Sequence, residues 1–567
     1  MSFSRKMEFI LYEKKFVKLY FRELARIFVA LAILPVFWPV AIVSVILLLS
    51  LRYLIQKVLN LFHGKNVYCL VSSGADGLFG HKTTGNSALI HAVTVLKGQP
   101  DLESVRERYK THVFTYTDPA TGRQNIYDKI KWNLTTKLGF HCWHNKSSSF
   151  QISRHVRYLD GIRPNEVFTE DKLMTLLGKL MSTRKVGGHE TQQHEQDMPQ
   201  WEHLIIPNYR LNHESPDSRP THFVSIYRVH HAYMDGASFA IFMDSVLSDK
   251  PLRYCMDPLK PFPGMTLLKS AWIHFKALTV GPLDFILTLK SSILDDSPLI
   301  LRKYSHKKFV DWSKPIDLEL VKEIKNRSGA SIASILVSAI TGGLRNLQEG
   351  LAIKKGVQSI VIPETISMGN MVVMLPYPTR EMQNHFTTFS VPYPLAEENM
   401  IRRLRTSDQV GRSYLGSSEP WFHFYVMKFS ALCPRLVQDV LMELPAAPIV
   451  FSNIPGIKEP FQIFERQLVD VGAWLPLFKA YGMAISTYSY CNKLRICVSS
   501  DSKLFETQSQ LKSFIQDIEM GVQDLAKYYG IEQNINREDV TSPVITNSFS
   551  DKLSFRRLSA ARSKANG

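Results

Sequence analysis

The sequence predicts an α/β (α+β) protein: an N-terminal membrane segment, then two α/β domains joined by an apolar bridge. Three observations carry that prediction. Residues Ile27 to Leu51 form an uncharged apolar run. After residue 66, short β-branched and aromatic stretches such as "HLIIPNY" and "THFVSIYRVHH" alternate with segments of helical spacing, and the alternation resumes after residue 311. The chain is 567 residues long and 45% apolar, enough for two or three domains with cores of their own.

At about 1.5 Å per helical residue, the apolar run is long enough to cross a hydrocarbon layer of about 30 Å. It is too long for a signal-peptide core. Arg22 and Arg26 flank one end, Arg52 and Lys57 the other. Pro35 and Pro39 lie near the middle, and each removes a backbone donor. A kinked single span and a re-entrant hairpin are both open.

The remaining elements follow in order. Residues 1–65 hold the basic N-terminus and membrane anchor, and 66–250 the first α/β domain. In it, "SSGADGLFGHKTTGN" is read as a loop, since His81 separates Gly80 from Lys82 and the ending of a phosphate loop is missing. "NSALIHAVTVLKG" mixes helix and strand signals, and "FQISRHVRYLDG" reads as a strand with its exit. "EDKLMTLLGKLMSTR" is helical through Leu173, Leu176, Leu177 and Leu180, and "HETQQHEQD" is a polar loop. The bridge, 251–310, holds "MTLLKSAWIHFKALTV" and "LDFILTLKSSIL", basic and apolar helices that suit either a membrane interface or packing between domains. The second α/β domain runs over 311–530. Its "SIASILVSAITGGLRNL" is a buried helix, and two alternating runs flank Cys491–Asn492 as a hairpin. A last helix puts Leu511, Phe514, Ile515, Ile518, Val522 and Leu525 on one face, with Gly530 as its C-cap. The polar, basic tail, 531–567, is expected to be disordered.

The net charge of +17 favours anionic partners. With no zinc-finger spacing and no recognition-helix signature, nucleic acid is the weaker choice. Cys69, Cys142, Cys255, Cys433, Cys491 and Cys497 form no CxxC pair, which argues against a disulfide framework or a metal site.

The chemistry concentrates in "YRVHHAYMDGASF", Tyr227 to Phe239. His230 and His231 close a strand, so their side chains point to opposite faces and one of them faces a given cleft. Asp235 is near enough to brace the loop or an imidazole, and Gly236 permits a tight turn. A neutral histidine suits general-base work on an alcohol attacking an acyl carbonyl. Zinc binding would want a third ligand, as in HExxH, which is missing. A purely structural His–Asp pair is the alternative.

His230–His231–Ala232–Tyr233–Met234–Asp235–Gly236 resembles the HHxxxDG motif of the wax ester synthase/diacylglycerol acyltransferase family. "PQWEHLII" is similar to that family's PLWE strand, with Gln200 in place of leucine. "SMGNMVVMLPYP" resembles its GN…LP segment, and "FSNIPGIKEP" its SNxPGP stretch, with Ile457 replacing the last proline. The likeness covers roughly residues 85–530 in the expected order. One departure is the helix start "GASIASIL", where Ala333 and Ser334 stand at the places of an Asn–Asp pair.

The resemblance implies two chloramphenicol-acetyltransferase-like halves with a tunnel between them. It implies an acyl-CoA-dependent O-acyltransferase with no cofactor and no metal, acyl-CoA being the donor substrate. The acceptor would be a long-chain fatty alcohol, giving wax ester, or diacylglycerol, giving triacylglycerol; a non-catalytic lipid-binding protein of the same fold is the rival. By the same analogy His231 is the general base. His230, Asp235 and Gly236 support its loop, Asp235 often through an arginine, and Asn453 and Ser452 position substrate. The expected partners are acyl-CoA, the acceptor and membrane lipid, at the endoplasmic reticulum membrane or a lipid droplet; the oligomeric state is open. Arg5, Lys6, Lys14, Lys15, Lys18, Arg22 and Arg26 precede the apolar run and only Arg52, Lys57 and Lys65 closely follow it, so a full span would put the catalytic part in the lumen. A hairpin bent at Pro35 and Pro39 keeps it beside cytosolic acyl-CoA and is the favoured placement.

Overall fold

The computed structural model describes residues 3–71, 88–163, 165–183, 198–249, 266–294, 299–301, 304–354, 362–443, 447–477 and 481–531, with backbone alone for 3–27, 291, 351–354 and 442–443. The loops expected at "SSGADGLFGHKTTGN" and "HETQQHEQD" and the tail from residue 532 lie outside the described residues.

Two sheets carry the fold. The first is six-stranded, in the order 462–463, 466–474, 89–97, 222–230, 201–209, 156–158. Its neighbours are antiparallel except the last pair. The second runs 386–394, 365–373, 449–457, 483–490, 493–501, 308–312, with 316–317 also paired to 493–501. The strand at 449–457 is parallel to both of its neighbours. A small third sheet joins 68–70, 140–145 and 132–137.

Residues 462–474 belong by position to the second half but complete the first half's sheet, Trp474 facing His91 and Leu468 facing Leu96. The second half thus lends a strand to the first half's sheet. One core spans the junction: Val93, Val95 and Leu204 pack with Val310, Trp312 and Trp474.

"NSALIHAVTVLKG" resolves as a strand, Leu89–Lys97, because both of its faces are buried. The run at "FQISRHVRYLDG" is a correction. It forms a helical turn, Ile152–His155, before a short strand, Val156–Tyr158. The His155 ring is held by the Trp201 carbonyl at 2.7 Å and stacks on the Trp201 ring at 4.7 Å, which draws the backbone out of strand geometry. The hairpin forms as expected, with Cys491 and Asn492 at φ 46° and 64°, the left-handed pair a two-residue turn requires. The last helix buries all six predicted apolar side chains. Gly530, at φ 65°, follows it, and the Ile531 N–H closes on the Ala526 carbonyl.

The hairpin expected in the apolar run is overturned. Phe3–His63 is one helix through Pro35 and Pro39. Each proline removes a single backbone bond, and the apolar residues on both sides carry the helix past it. From Phe28 on, the helix is long and apolar enough to cross a membrane and faces outward. Its end is fixed to the body: Gln56 Oε1 accepts the Leu70 N–H at 2.9 Å, and the Arg52 guanidinium donates to the Val71 and Ala431 carbonyls.

Candidate active site

The histidine strand, His222–His230, is central in the first sheet, and its register places His230 opposite Leu89. Its end is held from both neighbours: the His230 N–H bonds the Gln200 carbonyl at 2.9 Å, and the His231 N–H the Ala88 carbonyl at 2.8 Å. The next residues turn into a short helix, Gly236–Phe242, whose N-cap is Asp235.

His231 is clamped by a residue 153 positions away. Its Nδ1 lies 2.9 Å from Asn384 Oδ1, and Asn384 Nδ2 donates to the His231 carbonyl at 2.7 Å. The second bond fixes the amide's orientation, since only an NH₂ can donate to a carbonyl. Asn384 therefore presents oxygen to the ring, Nδ1 carries the proton, and the lone pair sits on Nε2. The ring is 1% exposed and 5.3 Å from the Phe386 ring. Burial pushes its pKa down to about 4, against smaller upward contributions from its own backbone and from Asn384. At neutral pH this is an uncharged imidazole able to accept a proton at Nε2.

His230 does different work. Its Nδ1 accepts the Ala232 N–H at 3.2 Å, and burial, followed by the neighbouring His231, lowers its pKa to about 3. It shapes the turn that presents His231.

Asp235 ties the loop to the other half. Oδ1 accepts the Ser238 N–H at 2.8 Å and the Tyr377 hydroxyl at 2.9 Å, and Oδ2 accepts the His385 N–H at 2.7 Å. The partners in these contacts are a phenol and two backbone amides. Asp235 thereby fixes the segment that carries Asn384. At Gly236 a Cβ would lie 3.0 Å from Ile454 Cδ1, so the loop abuts the 449–457 strand. Ser452 is buried there, and Asn453 Oδ1 accepts the Thr487 hydroxyl at 2.7 Å; both stand next to the contact with Gly236 rather than on the histidines.

Gln200, the departure from PLWE, has a local role. Its amide pairs with both the N–H and the carbonyl of Leu134, at 3.0 and 2.9 Å, and so stitches the third sheet to the histidine strand's neighbour. Trp201 donates to the Ile130 carbonyl at 2.7 Å, and Glu202 forms a buried ion pair with Arg228. At the Ala333–Ser334 departure, Ser334 shares a 2.7 Å hydroxyl contact with Ser331, whose N–H bonds Asp408 at 2.9 Å. The carboxylate at this helix start thus comes from a neighbouring helix.

Sequence reasoning missed Asn384, Tyr377 and His385. Tyr377 lay inside the quoted "SMGNMVVMLPYP" and the other two just beyond it, but no spacing links them to His231.

The fold is the mixed α/β fold of chloramphenicol-acetyltransferase-like acyltransferases. A wax ester synthase/diacylglycerol acyltransferase from Marinobacter aquaeolei shares the fold at a TM-score of 0.52 and 13% identity, covering 82% of this chain and all of its own. The trichothecene 15-O-acetyltransferase of Fusarium sporotrichioides also scores 0.52, at 9% identity over 81% of this chain and 95% of its own. Residues 382–519 match the family described as WS/DGAT C-terminal domain. The tgs1 protein of Mycobacterium tuberculosis, which bears the name of a diacylglycerol O-acyltransferase, is 22% identical over 405 residues, 65% of this chain and 78% of its own. The chain thus carries the WS/DGAT C-terminal domain over residues 382–519 and is an acyltransferase similar to these proteins.

Proposed function

We propose that the protein moves a long-chain acyl group from acyl-CoA to the hydroxyl of a long-chain fatty alcohol, forming wax ester, with His231 as general base. The observation that carries this reading is the Asn384 clamp, which leaves a neutral imidazole with its lone pair on Nε2. In the proposed step, Nε2 takes the proton of the acceptor hydroxyl as its oxygen attacks the thioester carbonyl. The tetrahedral adduct then expels the CoA thiolate, which takes the proton back from the imidazolium. The products are ester and free CoA, and histidine is regenerated. Asp235 and His230 position the loop, and Ser452 and Asn453 on the adjoining strand position substrate.

Diacylglycerol is the second acceptor reading, favoured by the name of the mycobacterial relative. The helix from Phe28 to His63 serves as a membrane anchor in this reading, at the endoplasmic reticulum or a lipid-droplet surface. The test is an assay of the full chain in liposomes with labelled acyl-CoA and either hexadecanol or diacylglycerol. Labelled wax ester is expected. Triacylglycerol alone would move the assignment to the second acceptor, and no ester from either would overturn the function.

A further inference from the structure

The two helices of the bridge, Leu267–Thr279 and Gly281–Ile293, turn large apolar side chains outward. On the first, Leu268, Trp272, Phe275 and Leu278 face outward at helical spacing, Leu268 being 83% exposed, while Ile273 and Ala277 are buried. On the second, Ile286, Leu287 and Ile293 face outward, while Asp284 and Ser292 are buried at 4% and 6% exposure. Apolar side chains outward on both helices, with Asp284 and Ser292 inward beside Leu283 on the second, is an arrangement that lipid favours and water does not.

The corner between the helices is built for an apolar medium. A Cβ on Gly281 would stand 2.6 Å from the Phe422 ring, so only glycine fits. Pro282 lacks the N–H that would close on the Leu278 carbonyl four residues back. The Trp38 indole supplies that donor instead, at 2.8 Å. Away from water, a carbonyl left without a donor would cost about 1–3 kcal/mol. Trp38 stands roughly 16 Å along the apolar run that begins at Ile27, near the middle of a hydrocarbon layer of about 30 Å. A corner bonded to Trp38 shares that depth. Lys269 and Lys290 are exposed toward the helix ends away from the corner, where long cationic side chains reach headgroups. Lys276, nearer the corner, is half-buried.

We propose that the Leu267–Ile293 helix pair is seated in the lipid bilayer beside the Phe3–His63 helix, as a second membrane element that holds the catalytic loop at a fixed distance from the membrane. The inference rests on the reading of Phe28–His63 as an anchor. The link to the site runs through the helix Glu419–Leu432. Tyr425 Oη is 2.8 Å from His274 Nδ1, the Phe424 ring is 4.9 Å from that of His385, and the His385 N–H bonds Asp235.

The experiment places photoreactive benzoylphenylalanine singly at Leu268, Phe275 or Leu287 of the full chain. The variants are reconstituted into phosphatidylcholine–phosphatidylglycerol liposomes and irradiated, and phospholipid adducts are measured by mass. Ile42 reports the anchor, and Leu138 and Tyr528, exposed apolar residues elsewhere on the body, report background. Adducts at the three bridge positions at least about tenfold above background are expected. Adducts at Ile42 with bridge positions at background would overturn the second membrane element and leave the anchor standing. Adducts at the bridge but not at Ile42 would support the bridge and remove the anchor. Background yield at all four positions would overturn both.

Discussion

Replacing Asn384 by leucine tests how His231 is held. The side chains are close in volume, so packing is roughly kept while two bonds are lost: the 2.9 Å contact at Nδ1 and the 2.7 Å bond to the His231 carbonyl. Each loss takes a partner from a buried polar group, at about 1–3 kcal/mol apiece. The tautomer is then no longer imposed. Reversing a histidine tautomer in a catalytic triad lowers turnover by about 10⁴; here it becomes mixed and the ring less well aimed, and a fall in kcat of about 10²–10³ follows. The KM for acyl-CoA should stay within about threefold. Asn384→Asp supplies the companion measurement. Its carboxylate still accepts the Nδ1 proton but adds a negative charge, which raises the His231 pKa from about 4 toward the ordinary 6.5. The acidic limb of the kcat profile should move up in pH accordingly. Initial rates with labelled acyl-CoA between pH 4 and 9, on protein checked for folding by circular dichroism, provide both readouts. A folded Asn384→Leu with kcat within about threefold of wild type, or an Asn384→Asp with an unmoved acidic limb, would refute the reasoning.

Three further outcomes are expected. Asp235→Asn can keep the bonds at Oδ1 from Ser238 and Tyr377, but it turns an NH₂ toward the His385 N–H, so stability should fall by about 1.5–3 kcal/mol together with kcat; an inactive variant of unchanged thermal midpoint would argue against the bracing role. Trp38→Phe should lower the midpoint in detergent by removing the donor to Leu278, and Pro282→Ala should partly rescue it by restoring a backbone N–H; a rescue of zero would contradict the corner's bonding. The folded chain keeps His155, His203, His230 and His231 neutral, with pKa values of about 4, 3, 3 and 4, lowered in each case chiefly by burial. The unfolded chain takes up those protons near pH 6.5, so stability is full above that pH and falls as pH drops toward 4; at pH 5.5 each histidine withdraws about 1.4 kcal/mol. Chemical denaturation at pH 7.5 and 5.5 checks this, and equal stability at the two would contradict it.

Much of the site was legible because it is local. His230, His231, Asp235 and Gly236 fall within seven residues, and the strand and turn that aim them follow from a β-branched run ending in Asp-Gly. The last helix and its glycine cap were readable from apolar spacing alone. What the sequence hid was long-range. Asn384 meets His231 across 153 residues, and no periodicity records such a meeting. The strand at 466–474 looks like any second-half strand, and only the register with 89–97 shows which sheet it joins. The path of the apolar helix was misjudged because two prolines suggest a bend, whereas each removes only one bond of many. The Trp38–Leu278 bond was out of reach for the same reason as Asn384, although Pro282 announced that a carbonyl would want a partner.

The central claim is that His231 takes the proton from the acceptor alcohol. The most direct measurement is the single-turnover rate of ester formation by wild type and His231→Ala in liposomes, with saturating labelled acyl-CoA and hexadecanol, alongside acyl-CoA affinity by equilibrium binding. The account predicts a rate lower by about 10²–10⁴ with affinity near wild type. A folded His231→Ala that forms ester at a rate within about tenfold of wild type would contradict it.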